Sequence, residues 1–482
     1  MAESITADYL VIGAGAMGLA FVDTLLADTK FTVAIVDRYD CPGGHWNRAY
    51  PFVRLHQPSN FYGVNSKNLG NNTIDKFGTN KGLYELATSG EVLAYFGQVM
   101  DQHFLPSGRV QYFPNCTYTS DGRFSSNVSG KTYQIAETYT RIVDATYMRV
   151  KVPSMGPPAY DVEAGVTLVT PNDLPKATRP YANYTVVGAG KTGIDTVLWL
   201  LSRNLDPSKI TWIMPRDSWL LDRSAYQPGP EWAEKRHDTI PAQNQAIMSA
   251  TSVDDMFKRL EESNQLLRLT DRVWPTMFRC ATVSALELEK LQEVTNIVRK
   301  GRIVSIGTSQ VTFEGGSSYQ PPPDTLFVDC SADGLEKHAP VPVFKGKQIT
   351  LQSVRLCQQV FSAAFIAHAE AAYDDDTMKN KLCRPIPHPS KAYEWLLVTL
   401  LNNENTLLWL SQPKTSAWLA QSRLDWFGTL MPPMPVDVDQ QNEIRKSMAK
   451  EMTEVCQKLR DLLHQLPAGD VKNIEAQILQ LS

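Results

Sequence analysis

The stretch VVGAGKTGID, residues 186–195, carries two competing readings. Gly190-Lys191-Thr192 is the tail of a nucleoside-triphosphate loop, and Gly188-x-Gly190-x-x-Gly193 is the fingerprint of a dinucleotide fold. Spacing separates them. A phosphate loop needs a further glycine five residues before Gly190, and Thr185 stands there. The residues before Gly188, Tyr184-Thr185-Val186-Val187, form a short apolar run that predicts a buried strand leading straight into the turn. After Gly193 the chain continues as Ile194-Asp195-Thr196-Val197-Leu198-Trp199-Leu200-Leu201, an apolar helix. Strand, tight glycine turn and helix are the parts of a dinucleotide-binding βαβ unit.

The motif has a twin near the start. Asp8 to Ile12 reads as a strand, Gly13-x-Gly15-x-x-Gly18 as the turn, and Leu19 to Leu26 as the helix. A second strand, Thr32 to Val36, ends at Asp37, where a carboxylate binds a ribose hydroxyl in such units. The second copy differs at that place. Its second strand, Ile210 to Ile213, has no acid at its end, and Arg216 stands just beyond it. A guanidinium there suits the 2′-phosphate of NADP, and Lys191 adds a point charge near phosphate. The alternative is that Arg216 only caps a surface loop. An acid-tipped and an arginine-tipped unit predict FAD at the first and NADPH at the second.

Composition is that of an ordinary globular chain: 482 residues, 43% hydrophobic, 20% charged, net charge -4. The slight acidity disfavours a nucleic-acid surface. No apolar run reaches membrane-spanning length, and Met-Ala-Glu-Ser opens no secretory signal. The seven cysteines, at 41, 116, 280, 330, 357, 383 and 456, include no C-x-x-C pair. They suggest buried reduced thiols in a cytoplasmic protein, with neither a metal site nor a dithiol centre.

Two apolar strands ending in small residues, Arg141 to Tyr147 and Thr325 to Gly334, flank the second copy. The expected architecture is α/β, with two Rossmann-like dinucleotide-binding domains, the NADPH domain inserted in the FAD domain. The boundaries are 1–150 for the first part of the FAD domain, 180–324 for the NADPH domain, 325–375 for the return segment and 376–482 for a helical C-terminal region. A helix is expected from Ser353 to Ala372. Helical patterns at Asp254 to Leu269 and Ser284 to Lys300 predict a helical insertion over about 222–300. The tryptophans at 395, 409, 418 and 426 read as core. Met431 to Pro435 reads as a linker before a helix from Gln440 to Leu463, which serves either its own chain or a homodimer.

The segment after Asp37-Arg38 adds Gly43-Gly44-His45-Trp46, then Tyr50-Pro51-Phe52-Val53-Arg54-Leu55-His56-Gln57-Pro58-Ser59-Asn60-Phe61-Tyr62. With the segment Arg216 to Arg223, it resembles the class B flavin monooxygenases, the flavin-containing and Baeyer–Villiger enzymes. The likeness covers roughly residues 5–375. The pattern is closest to uncharacterised microbial FAD/NAD(P)-binding oxidoreductases. His56 stands where the Baeyer–Villiger enzymes carry aspartate, and the segment 148–180 lacks an F-x-G-x-x-x-H stretch. The resemblance implies Gly13, Gly15, Gly18, Asp37, Arg38, Gly44, His45, Trp46, Arg54 and Asp333 around FAD. It implies Gly188, Gly190, Lys191, Thr192, Gly193 and Arg216 around NADPH.

The implied reaction is that of a monooxygenase. NADPH reduces FAD, molecular oxygen adds at C4a, and the resulting (hydro)peroxide oxygenates a small-molecule substrate, with an amine nitrogen as one target. His56, Gln57, Asn60 and Asn65 are the candidate catalytic residues. His56 leads because imidazole titrates near neutrality, and simple hydrogen bonding to the flavin or backbone is its other role. Two other functions fit the same cofactors: a reductase or dehydrogenase without productive oxygen use, and a non-enzymatic redox sensor.

Overall fold

The computed structural model describes residues 2–136, 140–332, 334–335, 338–429 and 437–481. Two largely parallel sheets organise it. The first runs in the order Phe344–Lys345, Gln348–Thr350, Arg141–Asp144, Tyr9–Ile12, Val33–Val36, Val110–Phe113. All neighbours are parallel except the short hairpin of Phe344–Lys345 with Gln348–Thr350. The second sheet runs Thr167–Val169, Thr325–Asp329, Asn183–Val187, Ile210–Ile213, Asn296–Val298, parallel throughout. Its strands fall in sequence between Arg141–Asp144 and Gln348–Thr350 of the first sheet. The central strands are short continuous apolar runs because both of their faces are covered: Leu10, Val11, Val33, Ala34 and Ile35 are all inaccessible.

The duplication extends beyond the glycine motifs. Before the strand Arg141–Asp144, the chain builds an antiparallel set from Cys116–Ser120, Arg123–Ser126 and Thr132–Ile135. Before Thr325–Asp329 it builds another from Ile303–Ile306, Val311–Phe313 and Ser318–Tyr319. Each glycine helix starts directly from its central strand. Ala16–Asp28 is buried along almost its whole length and packs on Gln359–Ala372, a helix just as apolar.

Several sequence expectations are corrected here. The helix expected from Ser353 starts at Gln359. Ser362 Oγ accepts the N–H groups of Val354 (3.0 Å) and Arg355 (3.3 Å), folding the preceding residues into a buried turn. The helix expected over Asp254 to Leu269 spans Val253–Glu262 and ends at Ser263-Asn264, where Asn264 is left-handed (φ 56°). Leu266–Leu267 is a strand. The helix expected over Ser284 to Lys300 spans Ala285–Gln292 behind a capping box of Ser284 and Glu287. Its apolar continuation is instead Asn296–Val298, the edge strand of the second sheet. The region 222–300 is therefore mixed rather than a helical insertion. Ser218–Asp222, Leu266–Leu267 and Met277–Val283 form a three-stranded sheet beneath Ala233–Met248 and Val253–Glu262.

The C-terminal region is helical, including Glu394–Leu410 and Val438–Leu463. The linker read at Met431 to Pro435 lies outside the described residues. Trp395 and Trp409 are buried in core clusters, and Trp409 donates to the Leu382 carbonyl at 2.7 Å. The reading of buried, reduced cysteines fails for one pair and for Cys41, which is exposed. Cys280 and Cys357, 77 residues apart, form a disulfide, and the other five cysteines are free. Among the described residues no helix is long and apolar enough to cross a membrane, and no group of three or more His, Cys, Asp or Glu could hold a metal ion.

Candidate nucleotide sites and active site

The two glycine loops superimpose in their bonding, residue for residue. Gly13 (φ 107°) donates to Val36 O at 2.8 Å, and Gly188 (φ 116°) donates to Ile213 O at 3.0 Å. A Cβ on Gly18 would lie 2.1 Å from Gly13 O, and one on Gly193 would lie 2.1 Å from Gly188 O. The flanking strands repeat the pattern. Asp144 Oδ1 accepts from Thr146 N (2.8 Å) and Oγ1 (2.7 Å), and Asp329 Oδ1 accepts from Ser331 N (3.0 Å) and Oγ (2.6 Å).

The middle glycines are the helix N-caps, and neither cap supplies a side-chain bond to the first turn. The first-turn N–H groups therefore point outward unclaimed by any cap, the arrangement that accepts a phosphate. A Cβ on Gly190 would meet nothing within 4 Å, and one on Gly15 only Gly44 Cα at 3.6 Å.

The loops differ at the ends of their second strands. Asp37 is buried and accepts from Ala14 N (2.5 Å) and Tyr39 N (2.7 Å), while burial pushes its carboxyl above the ordinary range. The buried Tyr112 hydroxyl, within electrostatic reach of Asp37, has no hydrogen-bond partner. Arg38 is exposed and lies over the Tyr39 ring. In the second unit Arg216 is half-buried, and the next residue, Asp217, is held by Arg299 through two bonds of 2.7 and 2.9 Å.

Between the loops runs the segment that starts at Gly43. Gly43 N donates to Ala14 O at 2.8 Å, and a Cβ on Gly44 (φ 59°) would lie 2.9 Å from Gly15 Cα. Only glycine fits where these two backbones meet. Trp46 Nε1 donates to the Tyr62 hydroxyl at 2.8 Å, and burial pushes His45 down to about 4. The segment then crosses to the second glycine helix. The Tyr50 hydroxyl donates to Asp195 at 2.7 Å, Phe52 stacks on Trp199 at 5.1 Å, and Lys191 Nζ donates to Arg54 O at 3.0 Å while pairing with Asp195. The Lys191 ammonium, read from sequence as a point charge near phosphate, is here bonded to the first unit's backbone and to a carboxylate one turn away. The neighbouring Thr192 side chain reaches the Tyr50 hydroxyl. The Arg54 side chain is exposed, 3.8 Å from Asp75.

Against proteins of known sequence, a protein of Mycobacterium tuberculosis described as uncharacterized is 52% identical over 434 residues, 90% of this chain and 80% of its own length. Its counterpart in Mycobacterium bovis matches equally. The chain belongs to the family of these mycobacterial proteins. No protein-family model matches it. Solved structures with a similar course include ε-caprolactone-bound cyclohexanone monooxygenase, at 14% identity and a TM-score of 0.47, covering 78% of this chain and 87% of that one. Oxidized steroid monooxygenase bound to NADP follows it at 13% and 0.43, covering 92% and 98%. A flavin-containing monooxygenase from Stenotrophomonas maltophilia shows 16% and 0.38, covering 73% and 86%.

The four catalytic candidates are held in different directions. His56 Nδ1 accepts from Thr282 N at 3.3 Å, so the ring proton resides on Nε2. Its carbonyl accepts from Arg223 Nε at 2.9 Å. Burial, aided by the charges of Lys191 and Arg223, pushes His56 down to about 3. His56 is therefore a fixed neutral N–H donor rather than a group that titrates near neutrality, which corrects the argument that put it first. Gln57 is half-buried beside it. The Asn60 carbonyl is claimed by the Arg423 guanidinium, which also holds the carbonyls of Tyr62 (3.0 Å) and Val64. Asn65 Oδ1 accepts from Ser422 Oγ at 3.1 Å and so docks the C-terminal region. Asp333 lies outside the described residues.

The residue of widest reach is Arg223, which the resemblance placed in the NADPH segment. It is fully buried and bonded to both units. It binds His56 O, Asn80 Oδ1 (3.0 Å), Thr282 O (3.2 Å) and Glu287 (2.7 Å). Sequence reasoning also missed Tyr50, Asp195, Thr282, Glu287 and Arg423 as organisers of the site. The lysine and aspartate four apart on an otherwise apolar helix were the one local signal.

Proposed function

We propose that this protein is an FAD- and NADPH-dependent monooxygenase that transfers one atom of molecular oxygen to a small-molecule substrate. The first unit, residues 1–150 and 325–375, takes FAD, and residues 180–324 take NADPH. The observation that carries the reading is the convergence of two matching glycine loops on one segment. Tyr50 to His56 leaves the first loop and is bonded to the helix of the second through Tyr50, Asp195 and Lys191. Two bound dinucleotides would meet along it.

The residues present fit both groups. Gly13, Gly15 and Gly18 form the first phosphate cradle, with Asp37 and the unpartnered Tyr112 hydroxyl at the ribose end. Gly188, Gly190 and Gly193 form the second, open above Gly190, and Arg216, just past the end of its second strand, is the proposed cation for the 2′-phosphate. Bound flavin supplies the electron transfer and oxygen activation. The chain holds the geometry. Gly44, His45 and Trp46 close the first loop, and Arg223 fixes the backbone at His56, whose Nε2–H serves as a constant hydrogen-bond donor. The Arg423 clamp on the carbonyls of Asn60, Tyr62 and Val64 holds the course of the segment beyond it.

The test is anaerobic addition of NADPH to the FAD-loaded protein, which should bleach the flavin's visible absorption. Admission of isotopically labelled oxygen with a panel of tertiary amines should then give labelled N-oxide. No bleaching would overturn the two-site reading. Bleaching followed by stoichiometric hydrogen peroxide, without labelled product for amines or other nucleophiles, would make the protein a reductase.

A further inference from the structure

Eight non-glycine residues among the described residues have a left-handed backbone, and six of them are Asn or Asp. Those side chains tolerate the conformation through local hydrogen bonds. The other two are Cys280 (φ 56°) and Cys357 (φ 50°), bonded to each other across a Cα separation of 6.6 Å. Cysteine has no intrinsic preference for this region, so each backbone is held there by its surroundings, and the shared covalent bond is the feature common to both.

Their positions give the bond leverage. Cys280 lies at the apex of a bulge in the strand Met277–Val283. Trp219 pairs with Phe278 and Leu221 with Thr282, so residues 279–281 oppose Leu220 alone. The bulge delivers Thr282, whose N–H meets His56 Nδ1 and whose carbonyl meets Arg223. Cys357 lies in the turn ahead of Gln359–Ala372, the helix that packs on the first glycine helix. The disulfide thus ties the return segment of the first unit to the strand that sets the His56 ring.

We propose that Cys280 and Cys357 are a reversible thiol–disulfide site that governs the register of the bulge and, through Thr282, the placement of His56. Cys357 is half-buried and Cys280 buried, so Cys357 is the point of entry. Closure by hydrogen peroxide is balanced: the Cys357 thiol gives a sulfenic acid and water, and the Cys280 thiol then displaces a second water to form the disulfide. A small dithiol reopens the bond by exchange, ending as its own cyclic disulfide. The inference does not depend on the proposed function, since none of its readouts needs a cofactor.

The test uses the full-length protein. After denaturation without reductant it should titrate five thiols, Cys41, Cys116, Cys330, Cys383 and Cys456, and seven after prior reduction. Reduction of the folded protein should speed amide exchange at 277–283 and 353–358 by about fivefold or more. Exchange at Tyr9–Ile12 should stay unchanged, and peroxide should reverse the effect. Cys280→Ser and Cys357→Ser should show the fast pattern with or without reductant. Should neither variant fold, the wild-type comparison decides alone. Seven thiols before reduction, or five with exchange indifferent to reduction, would overturn the proposal.

Discussion

Substitution at two glycines three residues apart should have opposite consequences. At Gly193 a Cβ would sit 2.1 Å from Gly188 O, against an ordinary carbon–oxygen contact of about 3.3 Å, so the carbonyl must retreat by about 1 Å. That carbonyl also accepts from Trp212 Nε1 at 2.8 Å, inside the second core. Overpacking costs about 1–3 kcal/mol and a strained buried hydrogen bond about 1 more. Gly193→Ala should therefore lower stability by about 2–4 kcal/mol in urea unfolding followed by tryptophan fluorescence. Gly190 differs in each respect. Its backbone is extended (φ -80°, ψ -175°), any residue adopts it, and no atom lies within 4 Å of its Cβ position. Gly190→Val should change stability by less than about 1 kcal/mol, since only a helix cap weakens slightly. Yet its isopropyl group would occupy the space above the first-turn N–H groups. NADPH affinity, read by fluorescence titration of the FAD-loaded protein, should fall at least about tenfold, which is about 1.4 kcal/mol. Unaltered NADPH affinity in Gly190→Val would refute the assignment of this loop to a pyrophosphate. Wild-type stability in Gly193→Ala would refute the packing argument.

Two further outcomes follow from the buried charges. Arg223→Met strips Glu287, buried at the same place, of its cation and leaves the His56 and Thr282 carbonyls unbonded, so it should cost about 3–5 kcal/mol in urea unfolding. Adding Glu287→Leu should recover much of that loss, and a double variant as unstable as the single would show that the ion pair is not what is broken. His56 has a folded pKa near 3 against about 6.5 unfolded, so its contribution is complete above about pH 6.5 and is lost as pH falls from there toward 3. His56→Gln should flatten the stability profile in that window by up to about 1.4 kcal/mol per pH unit, and an identical slope in the variant would contradict a neutral buried imidazole.

What was legible from sequence was local. The glycine spacings, their strands and the acid at residue 37 involve neighbours within about 25 positions, and a turn that tolerates only glycine writes itself into the sequence. What was illegible was decided at a distance. Val294 to Val298 fits a helical period as well as a strand, and only the presence of Ile210–Ile213 beside it resolves the choice. Cys280 and Cys357 carry no spacing signal because the second unit intervenes between them. Arg223 closes the segment, Arg216 to Arg223, that the resemblance assigns to NADPH. It is spent instead on Asn80 and His56, contacts over 143 and 167 residues that no pattern encodes.

The division between legible and illegible has a physical cause. The two units are copies, so each can be read from the other, whereas the contacts between them have no template. Those contacts form one chain. Asp195 takes the Tyr50 hydroxyl and the Lys191 ammonium, Lys191 takes the Arg54 carbonyl, and Arg223 takes the carbonyl of His56 two residues on. Two cations from the second unit, the partly buried Lys191 and the buried Arg223, thereby hold the backbone of the first at residues 54 and 56. Backbone carbonyls are present whatever the side chain, so this docking constrains the sequence of residues 52–57 only weakly. Burial keeps the His56 ring neutral, and the nearby charges of Lys191 and Arg223 add to it by repelling a proton. The positive charge that joins the two units therefore adds to burial in keeping neutral the residue where they meet.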